Sequence, residues 1–167
     1  MNLIAMYRQM HAEGKFAGLS VVPYASTIRE LIAKTGSTSV LDFGCGKGQQ
    51  YTFHNISEDW GVDLRLYDPA VPGFTAHPFP ADGVICCDVM EHIPEIDVPK
   101  TLRKILTLAG KFVFFVICTR ASKKSLPDGR NCHLTIQPKE WWNDAVENER
   151  SRLGKPLSIT IIARDGL

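Results

Sequence analysis

Three acids and three glycines are the residues of this 167-residue chain whose types and spacing point most directly to chemistry. Asp42 closes the apolar run Val40-Leu41 and leads into Phe43-Gly44-Cys45-Gly46-Lys47-Gly48. Glycine at every second position lets a backbone turn sharply and pass close to a ligand. Asp68 follows Gly48 by 20 positions, the placement at which an acid after a second strand bonds ribose hydroxyls. Asp88 follows a further apolar run, Gly83-Val84-Ile85-Cys86-Cys87. The glycine pattern D-x-G-x-G-x-G differs from the G-x-G-x-x-G of dinucleotide loops. Gln49 and Gln50 after Gly48 leave no lysine and hydroxyl pair of the P-loop kind. Alone, such a turn fits any α/β protein; the two further acids make it specific.

These residues need strands that end together. Ser39–Phe43, Asp63–Tyr67, Gly83–Cys87, Lys111–Cys118 and Leu157–Ala163 read as strands, the fourth so continuously apolar that both its faces must be covered. Met1 to Gly36 reads as an N-terminal helical segment, with Tyr24, Ile28, Leu31 and Ile32 on one face and Gly36 at its end. Within it, Tyr7 to Gly18 reads as a surface helix and loop, with a lid as the other option. Helices are expected over Lys47–Ile56, from an Asp97 cap to Gly110, and from Pro138 to Leu153. Alternation of this kind gives a doubly wound, mostly parallel α/β sheet of Rossmann-like form. Pro69, Pro72, Pro78 and Pro80 crowd the stretch after Asp68, so the sheet is expected to be reduced there by one strand and its helix.

Bulk properties fit a single domain over 1–167. The chain is 44% hydrophobic and 22% charged, with net charge +1, so no global field draws it to nucleic acid or membrane. A local nucleic-acid contact stays open. No apolar run approaches a membrane span. The five cysteines are odd in number and lack C-x-x-C spacing, which reads as reduced thiols in the cytoplasm and no metal site.

Val40–Gly48, Leu66–Asp68 and Val84-Ile85-Cys86-Cys87-Asp88-Val89-Met90-Glu91-His92-Ile93, with Leu106–Val116 after them, resemble class I S-adenosylmethionine (SAM) dependent methyltransferases over roughly Thr38–Ile117, about half the chain. The segment Thr119–Trp142, with Leu126-Pro127-Asp128-Gly129-Arg130-Asn131 leading into His133-Leu134-Thr135 and the double Trp, resembles one in small methyltransferase-like proteins of bacterial and phage genomes. The resemblance implies SAM as cofactor. It places Gly44, Cys45, Gly46 and Gly48 along the methionine part and ribose, Asp42 near the amino group, Asp68 with Pro69 on the ribose, and Asp88 and Val89 beside the cofactor. SAM carries an ammonium and a sulfonium, which suits a cleft lined with acids. The adenine contact usual after the family's third strand is not visible; Asp82 is a weak substitute, and Phe74, His77 and Phe79 are alternatives.

Transfer to a hydroxyl or protonated amine needs a base, for which the candidates are His92, His133, Glu91 and Asp88. Residues 119–142 read as an acceptor-side loop and helix, with Lys124, Arg130 and Trp142 as candidate contacts for a small-molecule or nucleotide-type acceptor, anionic if the basic cluster is functional. Two other readings stay open here: an enzyme that cleaves SAM or uses another part of it, and a noncatalytic SAM-binding module. A homo-oligomer could supply missing walls.

Overall fold

The computed structural model describes residues 2–164. Its elements run α1 (Leu3–Ala12), α2 (Ala25–Thr35), β1 (Ser39–Phe43), α3 (Gln49–Phe53), α4 (Ile56–Trp60), β2 (Asp63–Tyr67), β3 (Ala81–Cys87), α5 (Val98–Leu108), β4 (Ala109–Cys118), α6 (Lys139–Leu153) and β5 (Ser158–Arg164). The five strands form one sheet in the order β2-β1-β3-β4-β5. Every pairing is parallel, so the sheet is fully rather than mostly parallel. The chain moves from β1 outward to β2 and returns to the other side of β1 at β3. That reversal is the switch point at which open α/β sheets bind ligands, beyond the carboxyl ends of the strands.

Strand alternation divides the core between two faces. Val84, Cys86, Val113 and Phe115 pack with Leu102, Ile105 and Leu106 of α5 and Trp142 and Val146 of α6. Ile85, Cys87, Phe112 and Phe114 pack with Ile28 and Ile32 of α2, Tyr51 of α3 and Trp60 of α4. Coverage on both faces is why β4 carries apolar residues continuously. Each fully buried Leu, Ile or Phe contributes about 1.5–3 kcal/mol through removal from water.

Residues 68–80 hold neither helix nor strand, as the proline crowding predicts. The stretch closes on itself instead: Asp68 N–H donates to Phe74 O at 2.9 Å, and Phe74 N–H donates to Val71 O at 3.1 Å.

Several boundaries differ from the sequence reading. The helix expected over Lys47–Ile56 is two short helices, because Asn55 takes a left-handed conformation at φ 52°, which Asn tolerates better than most residues. Gly110 does not end α5; the helix passes directly into β4 at Ala109, and Gly110 is already in the strand. Asp97 flanks α5 without a side-chain cap bond. A 3-10 turn over Glu95–Asp97 runs into the helix there, leaving Asp97 in helical rather than extended geometry. Gly36 ends α2 in the left-handed form, as expected.

Candidate active site

The carboxyl ends of β1, β2 and β3 open onto a cavity of about 510 Å³. Asp42, Gly44, Cys45, Gly46, Asp68, Pro69, Asp88 and Val89 all line it. Parallel register accounts for the gathering: Phe43 lies beside Tyr67, and Asp42 beside Ile85, so the residues just beyond each strand share one edge.

Each acid is held differently. Asp42 is buried, and its Oδ2 accepts Tyr51 Oη–H at 2.6 Å. Burial pushes its carboxyl up to about 7; the Tyr51 hydrogen bond opposes the rise and the charge of Asp68 adds to it. Asp68 accepts the Gly46 amide on Oδ2 at 2.9 Å and the Ala70 amide on Oδ1 at 2.8 Å. One carboxylate therefore fixes both the glycine turn and its own loop. Asp88 is tied from far along the chain in both directions: Ser20 Oγ–H donates to Oδ2 and the Arg164 guanidinium to Oδ1, each at 2.7 Å. Asp88 is also a non-glycine residue at φ 56°, a conformation that costs energy and needs such support.

The glycines serve distinct purposes. Gly44 sits at φ +95°, and a Cβ there would lie 2.3 Å from Val89 Cγ2, so only glycine fits under the loop after β3. Gly48 does not line the cavity. A Cβ on it would come within 2.9 Å of Leu66 Cδ1 at φ +66°, so it serves the turn and its packing on β2. This corrects its assignment as a cofactor contact.

The opposite wall comes from α1 and the loops after it and after β4. Tyr7, His11 and Phe16 line the cavity with Ser122, Lys124 and His133. Sequence reasoning took Tyr7 to Gly18 for a surface helix and loop. The missed signal was the i, i+3, i+4, i+7 stripe of Leu3, Met6, Tyr7 and Met10, which packs on Leu126, Cys132 and Leu134. His11 Nδ1 is buried and has no partner among the described residues. Burial lowers its imidazole below the ordinary histidine value, against the pull of Asp68.

All four candidate bases, Asp88 among them, reach the cavity. His92 Nδ1 lies 2.9 Å from Cys132 O. A carbonyl only accepts, so Nδ1 carries the proton and Nε2 the lone pair. Tyr7 Oη–H donates to the same carbonyl at 2.8 Å, locking α1 to both segments. Burial lowers the His92 imidazole to about 4, with His133 adding to the fall, so it is neutral at pH 7. His133 stands edge-on to it at 4.9 Å and points Nδ1–H at Arg120 O, 2.6 Å away. Glu91 is wholly buried. Its Oε1 accepts the Cys118 amide at 3.1 Å, while Oε2 has no partner among the described residues. Burial, reinforced by Asp88, raises its carboxyl to about 8, so Glu91 is protonated at neutral pH.

Of the acceptor-side candidates, only Lys124 lines the cavity, its ammonium 5.0 Å from the Phe16 ring centroid. Arg130 does not line it; it is exposed and paired with Asp128 two residues away at 2.7 Å. Trp142 does not line it either. It is fully buried against α5 and β4 with Trp141 packed edge-on beside it, because adjacent helical residues cannot face the same way. On the adenine question, none of Phe74, His77 and Phe79 lines the cavity, and Phe79 is 71% exposed. Asp82 sits at the far end of the sheet, bonded to Thr38 and Lys111.

A comparison with curated proteins found no match. Among solved structures, the chain is similar to Burkholderia thailandensis 1,6-didemethyltoxoflavin-N1-methyltransferase, crystallised with 1,6-didemethyltoxoflavin and S-adenosylhomocysteine. The TM-score is 0.59 at 15% identity, covering 89% of this chain and 76% of that one, a likeness of fold. A family model described as a methyltransferase domain matches residues 19–163, and this chain, with its parallel Rossmann-like sheet and acid-lined switch point, belongs to that methyltransferase family.

Proposed function

We propose that this methyltransferase takes its methyl group from SAM bound at the acid-lined end of the cavity and passes it to a compact small-molecule acceptor held against α1 and the loop after β4. The observation that carries the reading is the convergence of Asp42, Asp68 and Asp88 on one switch-point cavity. The fit to a cationic ligand is chemical: three carboxyl groups face the cavity at this end, and the nearby imidazole Nδ1 of His11 has no partner among the described residues. Asp42, Gly44, Cys45, Gly46, Asp68, Pro69, Asp88 and Val89 would hold the cofactor, and His11 would add a polar contact from α1. When bound, SAM supplies a methyl group already activated by a positive sulfur.

The chain's own residues then mainly position the acceptor, because an in-line displacement gains most from alignment. His92 is the group in the right state to take a proton at neutral pH, since its ring is uncharged and its Nε2 makes no hydrogen bond among the described residues. Glu91, protonated there, acts as a donor or a structural group. His133 and Lys124 border the same space, and Lys124 suits an anionic group on the acceptor. The cavity volume lies within the range of single small-molecule sites, and the similar Burkholderia enzyme binds a small-molecule acceptor. Five free, buried cysteines support a reducing, cytoplasmic setting. No described helix is long and apolar enough to cross a membrane. A bacterial or phage origin rests on the resemblance of residues 119–142.

Isothermal titration with S-adenosylhomocysteine tests the reading. We expect a one-to-one complex that weakens in Asp68→Asn; absence of binding at high micromolar concentration overturns it.

A further inference from the structure

One buried atom still lacks a partner once the roles above are assigned. Glu91 Oε2 lies in the interior without a hydrogen-bond partner among the described residues. An unpaired buried polar atom is costly, and it points to a ligand. Two further donor atoms stand beside the same carboxyl group. The Cys118 thiol, a ring nitrogen of His133 and a Glu91 carboxylate oxygen all lie within 4.8 Å of one another.

We infer that Glu91, Cys118 and His133 form a binding site for a divalent transition-metal ion of the zinc class. The donor set is one thiolate, one imidazole and one carboxylate. Sulfur and nitrogen donors favour zinc-class ions over magnesium or calcium, which take oxygen. Once the ion displaces their protons, Glu91 and Cys118 contribute two negative charges, which balance a divalent ion at the edge of the cavity.

The surroundings orient His133 and Glu91 as metal sites require, while the Cys118 thiol points at Arg120 O at 3.8 Å and would give up its proton to the ion. His133 Nδ1–H donates to Arg120 O at 2.6 Å, which fixes the tautomer and leaves Nε2 basic. Metal-bound histidines almost always anchor their other nitrogen in this way. Glu91 Oε1 is held by the Cys118 amide at 3.1 Å, so Oε2 alone is left to ligate. The backbone carrying Glu91 is itself pinned, because its carbonyl accepts the Leu134 amide at 2.7 Å and the Thr135 amide at 3.1 Å. The three residues come from the turn after β3, the end of β4 and the loop before α6. No short sequence spacing could have announced them, and the expectation of no metal rested on such spacing.

Three protein ligands leave a fourth tetrahedral position, the arrangement of zinc sites that meet a substrate or water. Glu91 and His133 both line the cavity, so an ion would enter from it. An acceptor oxygen, nitrogen or sulfur in the cavity is the natural fourth ligand. The ion would take Glu91 and His133 out of contention as bases and leave that part to His92.

Metal binding is separable from the methyl donor, so the test needs no turnover. The reduced full-length protein is titrated with cobalt(II) chloride, with absorption recorded in the near-ultraviolet and visible. We expect saturation at one equivalent, a thiolate-to-cobalt charge-transfer band, and loss of that band when zinc is added. Cys118→Ser should abolish the band. His133→Ala and Glu91→Gln should each weaken zinc, measured by chelator competition, by more than about 100-fold, since an outer-shell partner alone is worth about 10- to 100-fold. If Cys118→Ser fails to fold by circular dichroism, His133→Ala, a change at a half-buried loop residue, decides. No charge-transfer band in the parent protein, an unchanged band in Cys118→Ser, or unchanged zinc affinity in a folded His133→Ala overturns the site.

Discussion

The two walls of the cavity are built by different means. At the cofactor end, Asp42, Gly44, Gly46 and Asp68 sit at strand tips set by parallel register, and their bonds are short-range in space and repeated in kind. On the facing wall, Tyr7 reaches Cys132 across 125 positions and His92 reaches it across 40. No regular strand or long helix positions Ser122, Lys124 or His133. One wall is dictated by the fold and the other by individual long-range contacts. A family can therefore keep the first wall while the second varies with the acceptor.

Perturbing the first wall should change stability and binding more than perturbing the second. The largest effect concerns Asp42. Its carboxyl titrates at about 7 in the folded protein against an ordinary 3.8. The folded state thus holds the proton more tightly than the unfolded chain between those values, and stability falls as pH rises through that window. That difference corresponds to about 4 kcal/mol. In urea unfolding at pH 4 and pH 8, Asp42→Asn should gain on the parent by about that amount at the higher pH; parallel pH profiles would contradict the buried acid.

Next comes Gly44→Ala, which combines a left-handed backbone with the Val89 overlap. It should cost about 3 kcal/mol in thermal unfolding. Adding Val89→Ala should recover part of that, and no recovery would mean that backbone strain alone matters. Asp68→Asn follows. It turns an acceptor of two backbone amides into a weaker one and removes a charge facing the cofactor. We expect about 30-fold weaker S-adenosylhomocysteine binding by calorimetry, or about 2 kcal/mol.

On the second wall, Tyr7→Phe removes the hydroxyl that donates to Cys132 O and should cost about 1 kcal/mol of stability, with cofactor affinity unchanged within error. A matching loss of affinity would show that the two walls are one cooperative unit. The smallest effect is expected for Arg130→Ala. Its exposed pair with Asp128 contributes less than about 1 kcal/mol, and activity on any acceptor should stay at the parent level.

The same contrast explains what could be read in the chain before its fold. Asp42, Asp68 and Asp88 were legible because strand ends and glycine turns leave local signatures, and the proline crowding showed the missing strand. Trp142 and Arg130 were misjudged for opposite reasons. Whether an indole on a helix faces core or ligand depends on rotation about the helix axis. Whether a loop cation reaches a cavity depends on its nearest acid, here only two residues away. Tyr7, His11 and the partnership of Glu91, Cys118 and His133 depend on contacts between distant segments, which composition and periodicity do not encode.

The ties on Asp88 bear on how the protein is made. Its carboxylate is gripped by Ser20, 68 positions earlier, and by Arg164, 76 positions later. A chain emerging from the ribosome can pair β1 to β4 while Arg164 is still inside the exit tunnel. The strained turn at Asp88 then lacks one of its two supports. Completion of the cofactor end is thus deferred until β5 has emerged, and a nascent chain can pair four strands before it can bind.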